Sequence, residues 1–421
     1  MPEFRFSTAG ESHGKALVVI VEGLPAGLSI TAEWVDRELA RRMQGYGRGA
    51  RMKIERDRIE WLSGLRAGET LGSPVAMLMQ NRDWENWEDV MAPEATESPG
   101  ELRRRRVTRP RPGHADLAGV LKYDRVDARD ILERASARET TARVAAGALA
   151  KRLLDEFGVE IGSHVISLGG IAVGPVAGLP VPLNQAADRS EVRVLDATAE
   201  TEIIRRIDAA KQSGDTLGGE VEVVARGVVV GLGSHVSWDR KLDGRLAGMM
   251  MSIPAVKGVE IGMGFEAARR PGSEVHDPIE GGAAGQRGSG ASRGASHAPS
   301  LDPRGGFRRP TNNAGGLEGG ITTGEPVVVK VAMKPIATLM SPLPTIDLAS
   351  GQPAKAVSER SDVTAVPAMG VIAEAVMALV LARAMLEKFG GDSLAEMRRN
   401  YEGYVATLGS RWAALRGTPG G

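Results

Sequence analysis

The chain of 421 residues has no cysteine. That excludes a disulfide framework, a thiolate metal site and a cysteine nucleophile, and it fits a reducing compartment. Aromatic side chains are scarce at 4%, and no RNA-binding signature is present. Neither sign of charge dominates: 53 basic residues face 53 acidic ones, so bulk attraction to nucleic acid is not implied. No charged-then-apolar leader opens the chain, which reads directly as a strand. The most apolar helical stretch, residues 371–386, carries Glu374 and Arg383 and reads as too short to cross a bilayer. These absences describe a cytoplasmic protein with no metal, membrane or nucleic acid. What the chain does have is 42% apolar content, ample for a packed core.

Strands are expected at residues 4–6 and 16–22, split by the turn-like AGESHG, and again at 53–61 and 74–80. Residues 31–43 read as an amphipathic helix with Thr31 as N-cap and Glu33 and Asp36 in its first turn. The acidic segment 84–101 is irregular and expected at the surface. Ser136-Ala137-Arg138-Glu139 has capping-box spacing and opens a helix through residue 157. Strand, helix, strand and helix follow at 164–173, 200–213, 220–230 and 239–251, then a buried strand within 253–265. Residues 277–309 are rich in Gly, Ser, Ala and Arg without hydrophobic period, the pattern of a flexible insertion. A strand at 326–334 and a long helix from near Pro367 complete the order. Many strands sit in adjacent pairs joined by short turns, which favours an α+β fold of mixed or antiparallel sheets over a doubly wound one. A single domain is expected over 1–408, with a flexible tail at 409–421.

The chemistry concentrates in residues 101–116, ELRRRRVTRPRPGHAD, where six arginines run into a Pro-Gly turn and His114. Arginine stays charged, and its planar fork grips phosphate and carboxylate two bonds at a time. Prolines on each side of Arg111 hold that residue in a pre-ordered loop, and Gly113 lets the backbone turn. Arginine runs are ordinarily solvated and single histidines ordinarily structural, so this stretch alone indicates an anion loop with an unassigned histidine. A glycine-rich loop after residue 43 lets Arg42, Arg48 and Arg51 converge on an anion as well.

Several blocks taken together go further. Gly10-Glu11-Ser12-His13-Gly14, RPRPGHAD at 109–116 and Glu359-Arg360-Ser361-Asp362, with SARET at 136–140 and NNAGGLEGG at 312–320, resemble chorismate synthase in order and spacing. The resemblance spans roughly residues 4–400. It implies a β-α-β sandwich core, a homotetramer and a carbon–oxygen lyase of the shikimate pathway. That lyase converts 5-enolpyruvylshikimate 3-phosphate into chorismate and phosphate, using reduced FMN that is not consumed overall. By the same resemblance His13 protonates the leaving phosphate, and His114 protonates or stabilises the reduced flavin near N1. Asp362, beside Arg360, tunes or deprotonates flavin N5, and Ser12 hydrogen-bonds in the same site. FMN falls to Ser136, Ala137 and Arg138, to Pro254 and Ala255, to Gly319, and to Arg360. The run Lys334, Pro335, Ile336, Ala337 and Thr338 belongs to the same set. Arg42, Arg48, Arg51 and Arg111 line the pocket for substrate. NADPH as reductant is placed near Arg42 and Arg48, which equally suit the substrate, so the source of electrons stays open.

The residue chemistry agrees, because buried phosphates and carboxylates need several cations to offset desolvation. The chain departs from the family pattern at Pro254, where relatives carry Asn, at Ala135 and Ala337, and in the length of 277–309. That insertion is expected to act as a flap over the active-site mouth. Two other classes remain in view: an FMN-dependent NAD(P)H flavin reductase, and a nucleic-acid binder using residues 103–111.

Overall fold

A computed structural model describes residues 3–49, 57–94, 105–174, 176, 178–281, 302, 304–358 and 362–416, with side chains as far as 408. The alternating run ALVVIVE makes the second strand of the first sheet, with Leu17, Val19 and Val21 turned inward and buried. In chain order that half of the molecule comprises β1 (Arg5–Ala9), β2 (Ala16–Glu22), α1 (Ala32–Met43), β3 (Glu60–Ser63) and β4 (Val75–Gln80). Three helices follow: α2 (Asp116–Lys122), α3 (Arg129–Ala135) and α4 (Thr140–Asp155). The second sheet begins with β5 (Glu160–Leu168) and β6 (Ile171–Ala172), followed by α5 (Ala197–Ser213) and β7 (Gly219–Arg226). Then come α6 (Leu242–Met251), β8 (Val256–Ile261), β9 (Val327–Met333), α7 (Val366–Phe389) and α8 (Leu394–Arg416).

The sheet orders are β1-β2-β4-β3 and β8-β9-β7-β5-β6. Every neighbouring pair in them is antiparallel. Register places Val19 opposite Met77 in the first sheet and Val223 opposite Val329 in the second, so each sheet turns an apolar face inward. Between them lie α4, packed on β2, and α7, packed on β5 and β7, with α1 against both helices. This is the expected α+β sandwich, with wholly antiparallel sheets.

Local chemistry explains the element ends. Thr31 caps α1 by accepting the Trp34 N–H at 3.3 Å. Pro367 sits in the first turn of α7, where its missing N–H costs nothing. That helix is 24 residues long and apolar enough to cross a membrane by length and composition. Its burial between two sheets, rather than the shorter length read from sequence, makes it a core element. Helices α4 and α7 pack backbone to backbone at Gly147, where an added Cβ would lie 2.6 Å from the Ala375 Cα. Gly147→Ala gains about 1 kcal/mol of helix propensity but overpacks a crossing that has no room. Overpacking costs about 1–3 kcal/mol and more where backbone must shift, so the variant's thermal midpoint is expected below wild type. An unchanged or higher midpoint by calorimetry would show that the helices can part without loss.

Several sequence expectations need correction. Strand β3 starts at Glu60 rather than 53, and residues 51–56 lie outside the described set. The expected strand at 164–173 is a hairpin: β5 and β6 turn at Gly169 and Gly170, both with positive φ. Helix α5 opens three residues earlier than read, because Asp196 accepts the Thr198 and Ala199 N–H groups. The strand inside 253–265 is confined to β8, an edge strand of which only Val256 is buried. Ser136 accepts the Arg138 N–H, while the Glu139 carboxylate takes Thr8 and Arg143 instead of closing a capping box. The segment at 84–101 is not wholly surface: its 3-10 and helical turns bury Trp87. Most of the 277–309 insertion, residues 282–301 and 303, lies outside the described residues, as do Arg51 and Arg360. Its described flanks pair as Glu280–Gly281 with Phe307–Arg308. Helix α8 continues past Leu408 to Arg416.

The centre of α7 holds one ionised group. Glu374 is fully buried and receives Arg41 at 2.8 and 3.0 Å, Lys151 at 2.6 Å and Arg193 at 3.0 Å. Ser163 and Asn184 donate to it as well. Burial pulls Arg41 toward losing its proton, yet Glu374 and Glu38 hold it charged. Arg193 and Arg41 both also pair with Asp188, so the cluster ties the core helix to the loop at 188–193.

Candidate functional site

That loop is one wall of a cavity of about 800 Å³, within the size range of small-molecule sites. Arg48, Lys211, Thr216, Thr338, Met340 and Asp362 are among its lining residues. The glycine-rich loop after α1 reaches the cavity because it is stitched to the segment before α7. Val363 N–H donates to Gly47 O at 2.8 Å, and Gly49 N–H donates to Asp362 Oδ1 at 2.6 Å. Gly47 has φ +82°, and a Cβ there would meet Ile207 at 2.9 Å, so this approach requires glycine. Arg48 Nη1 lies 3.3 Å from Asp362 Oδ2. Asp362 was expected beside Arg360, which lies outside the described residues; Arg48 and the Gly49 N–H are among its partners.

Arg42 sits behind Arg48. It donates to Thr140 Oγ1 at 3.0 Å and to Ala137 O at 2.8 Å, while its Nη1 is buried without an acceptor among the described residues. Burial, with the like charges of Arg48 and Arg138, pushes this guanidinium down to about 9 against the pull of Asp57 and Asp362. Arginine does not give up its proton in a protein. The imbalance is therefore a standing demand for an anion. Arg138 is held by Asp57 at 2.5 Å and by Asn81 at 2.9 and 3.1 Å, and Asn81 Nδ2 donates to Gly14 O at 2.6 Å. That last bond ties the arginine group to the first histidine block. Ser136 Oγ donates to Ser12 Oγ at 3.1 Å, closing the same link from the other side.

His13 lies against Trp87, ring centroids 3.8 Å apart and nearly parallel. Arg105 and Arg129 lie at 4.1 and 5.0 Å from the same indole centroid. Nδ1 of His13 is 2.9 Å from Glu133 Oε1, and Glu133 also receives Arg129 at 2.9 Å. Arg105, expected only as part of a solvated run, thus has a packing partner, and Arg106 donates to Val126 O.

His114 belongs to a second group. Its Nδ1 is 2.5 Å from Asp116 Oδ1, and Arg111 donates from Nε to Asp116 Oδ2 at 2.8 Å. Arg111 Nη1 donates to Thr338 Oγ1 at 2.9 Å, which joins the group to the cavity. Lys334 Nζ donates to Gly113 O, Lys334 N–H to Ala255 O at 3.0 Å, and Thr216 Oγ1 to Ile336 O at 2.7 Å. Pro254 and Ala255 thereby flank the 334–338 run, and Pro335 and Thr216 share a smaller cleft beside it. Burial and the neighbouring Lys257 charge lower the Lys334 ammonium from its ordinary value.

Of the expected flavin residues, Thr338 lines the cavity and is bonded by Arg111, whereas Ala137, the acceptor for Arg42, is not among the lining residues, and neither His13 nor His114 is. Gly319 is different. It lies at the exposed tip of the Leu317–Thr322 hairpin, whose Gly320 accepts the Leu242 N–H. The residues missed from sequence are the partners: Asp57, Asn81, Trp87, Asp116 and Glu133. Asp116 and Glu133 lay inside recognised blocks, RPRPGHAD and ERASARET, and an acid beside an arginine within such a block was the available signal.

The donor set fits an anionic ligand. Arg42 has a buried N–H without an acceptor among the described residues, and Arg48 and Thr338 line the cavity. Comparison with known proteins agrees with this chemistry. The family model described as chorismate synthase matches residues 4–386. Chorismate synthase of Trichlorobacter lovleyi is 57% identical over 406 residues, covering 96% of this chain and 99% of the relative. That of Symbiobacterium thermophilum is 55% identical over 411 residues, 97% of this chain and 100% of the relative. A solved structure described as a crystal structure of chorismate synthase superposes with TM-score 0.74 at 42% identity, covering 97% of this chain and 99% of that one.

Proposed function

The chain belongs to the chorismate synthase family, and from that premise we propose how its own residues serve the family's reaction. It is a lyase that eliminates phosphate from 5-enolpyruvylshikimate 3-phosphate in a reduced-FMN-dependent 1,4-elimination, giving chorismate at the last common step toward the aromatic amino acids. Bound FMN supplies the electron density that cleavage of an unactivated C–O bond demands, and it is not consumed overall.

The observation that carries the site assignment is the Arg42, Arg48 and Arg138 group. These guanidiniums share Asp57 and Asp362, and one buried N–H of Arg42 has no acceptor among the described residues. A phosphate or carboxylate meets that demand. Arg42, Arg48, Arg51, Arg111 and Ser12 hold the substrate, and Arg42 and Arg48 also suit NADPH as reductant. FMN is held by Ser136, Ala137, Arg138, Pro254, Ala255, Gly319, residues 334–338 and Arg360. With Pro at 254, that position offers only its carbonyl and ring, so binding there rests on backbone and shape.

His13 holds a proton for the departing phosphate oxygen, with its ring stacked on Trp87. His114 would hold a proton for the reduced flavin and so balance its charge. Asp362 keeps a carboxylate at the cavity wall, where it takes up a proton or holds Arg48 in place. Imidazole suits the two donor roles because its ordinary pKa lies near working pH. The reading includes a homotetramer in the cytoplasm.

An anaerobic assay with chemically reduced FMN and the enolpyruvyl substrate tests this. Chorismate and phosphate are expected in equal amounts. Folded protein that releases neither would sink the assignment, and NADPH oxidation without phosphate release would favour a flavin reductase.

A further inference from the structure

The two histidines come from different parts of the chain, yet both are held by the same three-part arrangement. Arg129 Nη1 donates to Glu133 Oε1 at 2.9 Å, and that oxygen lies 2.9 Å from His13 Nδ1. The other Glu133 oxygen accepts the His13 backbone N–H at 2.8 Å. In the second copy, Asp116 Oδ2 accepts Arg111 Nε at 2.8 Å and the Arg111 backbone N–H at 3.0 Å. Asp116 Oδ1 then lies 2.5 Å from His114 Nδ1. Glu133 is 3% exposed and Asp116 wholly buried, so neither carboxylate can turn to water for other partners. Burial would raise both carboxyls, but bonds from the histidine and the arginine hold each below its ordinary range.

An ionised carboxylate only accepts hydrogen bonds. Facing Nδ1, it requires Nδ1 to carry a proton, and Nε2 is then the ring atom for exchange with bound molecules. At His114 the donor-only Arg111 Nη2 also lies 3.1 Å from Nδ1 and 3.4 Å from Nε2, and the shorter 2.5 Å carboxylate contact is the one that sets the Nδ1 proton. We propose that Glu133 and Asp116 are positioning residues of the reaction. Each is clamped by an arginine and keeps a proton on Nδ1 of its histidine, so that Nε2 is the atom that takes up a proton, giving the imidazolium, and releases it to the reacting groups. For His13 the Trp87 stack adds a second restraint, on the plane of the ring. The proposal rests on the reading of the two histidines as proton donors. It adds which atom of each ring works and what enforces it.

The test replaces each carboxylate by its amide in the full-length enzyme, Glu133→Gln and Asp116→Asn. In Asp116→Asn, Arg111 Nε and the Arg111 backbone N–H keep the oxygen, so the amide NH2 is turned toward the ring and Nδ1 must accept. In Glu133→Gln, Arg129 and Nδ1 share one oxygen and the His13 N–H takes the other, so the amide NH2 meets a donor in either orientation and the hold on Nδ1 is broken. In nitrogen-15 solid-state spectra of FMN-loaded protein labelled at histidine, wild type is expected to show Nδ1–H at both His13 and His114. Asp116→Asn is expected to switch His114 alone to Nε2–H, and Glu133→Gln to cost His13 alone its fixed Nδ1–H. Signals are assigned by their loss in His13→Ala and His114→Ala. Turnover is expected to fall about 100-fold in each amide variant, with KM and FMN affinity changed less than about threefold. An Nε2–H tautomer in wild type at either histidine overturns the proposal for that histidine. So does an amide variant with wild-type turnover and an unchanged tautomer. If an amide variant fails to fold, the wild-type spectrum decides alone. If both alanine variants keep wild-type turnover, the reading of the histidines as donors fails, while the tautomer result still judges the clamp.

Discussion

Alanine at His13 or at His114 is expected to lower chorismate formation about 10²–10⁴-fold, the range that a positioned proton donor contributes, while FMN binding persists. The neighbouring structure explains why binding outlives turnover. Removing the His114 ring leaves Asp116 with its three bonds from Arg111, so the loop that carries Arg111 to Thr338 keeps its shape. Removing the His13 ring leaves the Arg129–Glu133 pair and the Ser12 to Glu133 backbone bond in place. Anaerobic single-turnover measurements, with FMN affinity followed by flavin absorbance, separate the two effects. Wild-type turnover in either variant would remove that histidine from the chemistry.

Glu374→Ala is expected to cost about 3–5 kcal/mol of stability, as breaking a buried ion cluster by removing one partner does. Arg41, Lys151 and Arg193 would lose their shared acceptor, and Arg193, which burial already pushes down to about 10, would lose its main support. The pH dependence follows from the sign of the shift. Despite burial, the charges of Arg41, Lys151 and Arg193 hold the Glu374 carboxyl well below its ordinary value of 4.5. Its contribution is therefore complete above that value and is lost as pH falls through the folded-state value. Wild type should weaken steeply under acid, whereas Glu374→Gln should be weaker at neutral pH and flatter below 4.5. Urea midpoints across that range provide the check. Equal slopes in the two proteins would show that Glu374 is not the group lost to acid.

Local patterns were legible in the sequence and long-range partners were not. Strand β2 and helix α1 follow alternation and an N-cap read directly from residues 16–43, and the Pro-Gly turn before His114 is visible as written. The family blocks supplied most of the candidate site residues. Periodicity cannot say which distant acid neutralises a buried arginine. Arg138 finds Asp57 81 positions away, and Arg41 finds Glu374 333 positions away. Trp87 was hidden for a related reason: its segment is acidic, and one buried indole leaves no periodic trace. The capping box failed because Glu139 had a better offer in Arg143 and Thr8. That is tertiary context overriding a local motif.

The pairing of Asp362 with Arg48 and with the Gly49 N–H also bears on how the protein is made. The latter contact joins residues 313 positions apart. At synthesis rates of about 5–20 residues per second, roughly 15–60 s separate the appearance of its two halves. During that interval the nascent chain carries Arg42 and Arg138 with Asp57 but Arg48 without Asp362. A growing chain has no early, partly active form, and the interval is one in which polyanions in the cell compete for those arginines.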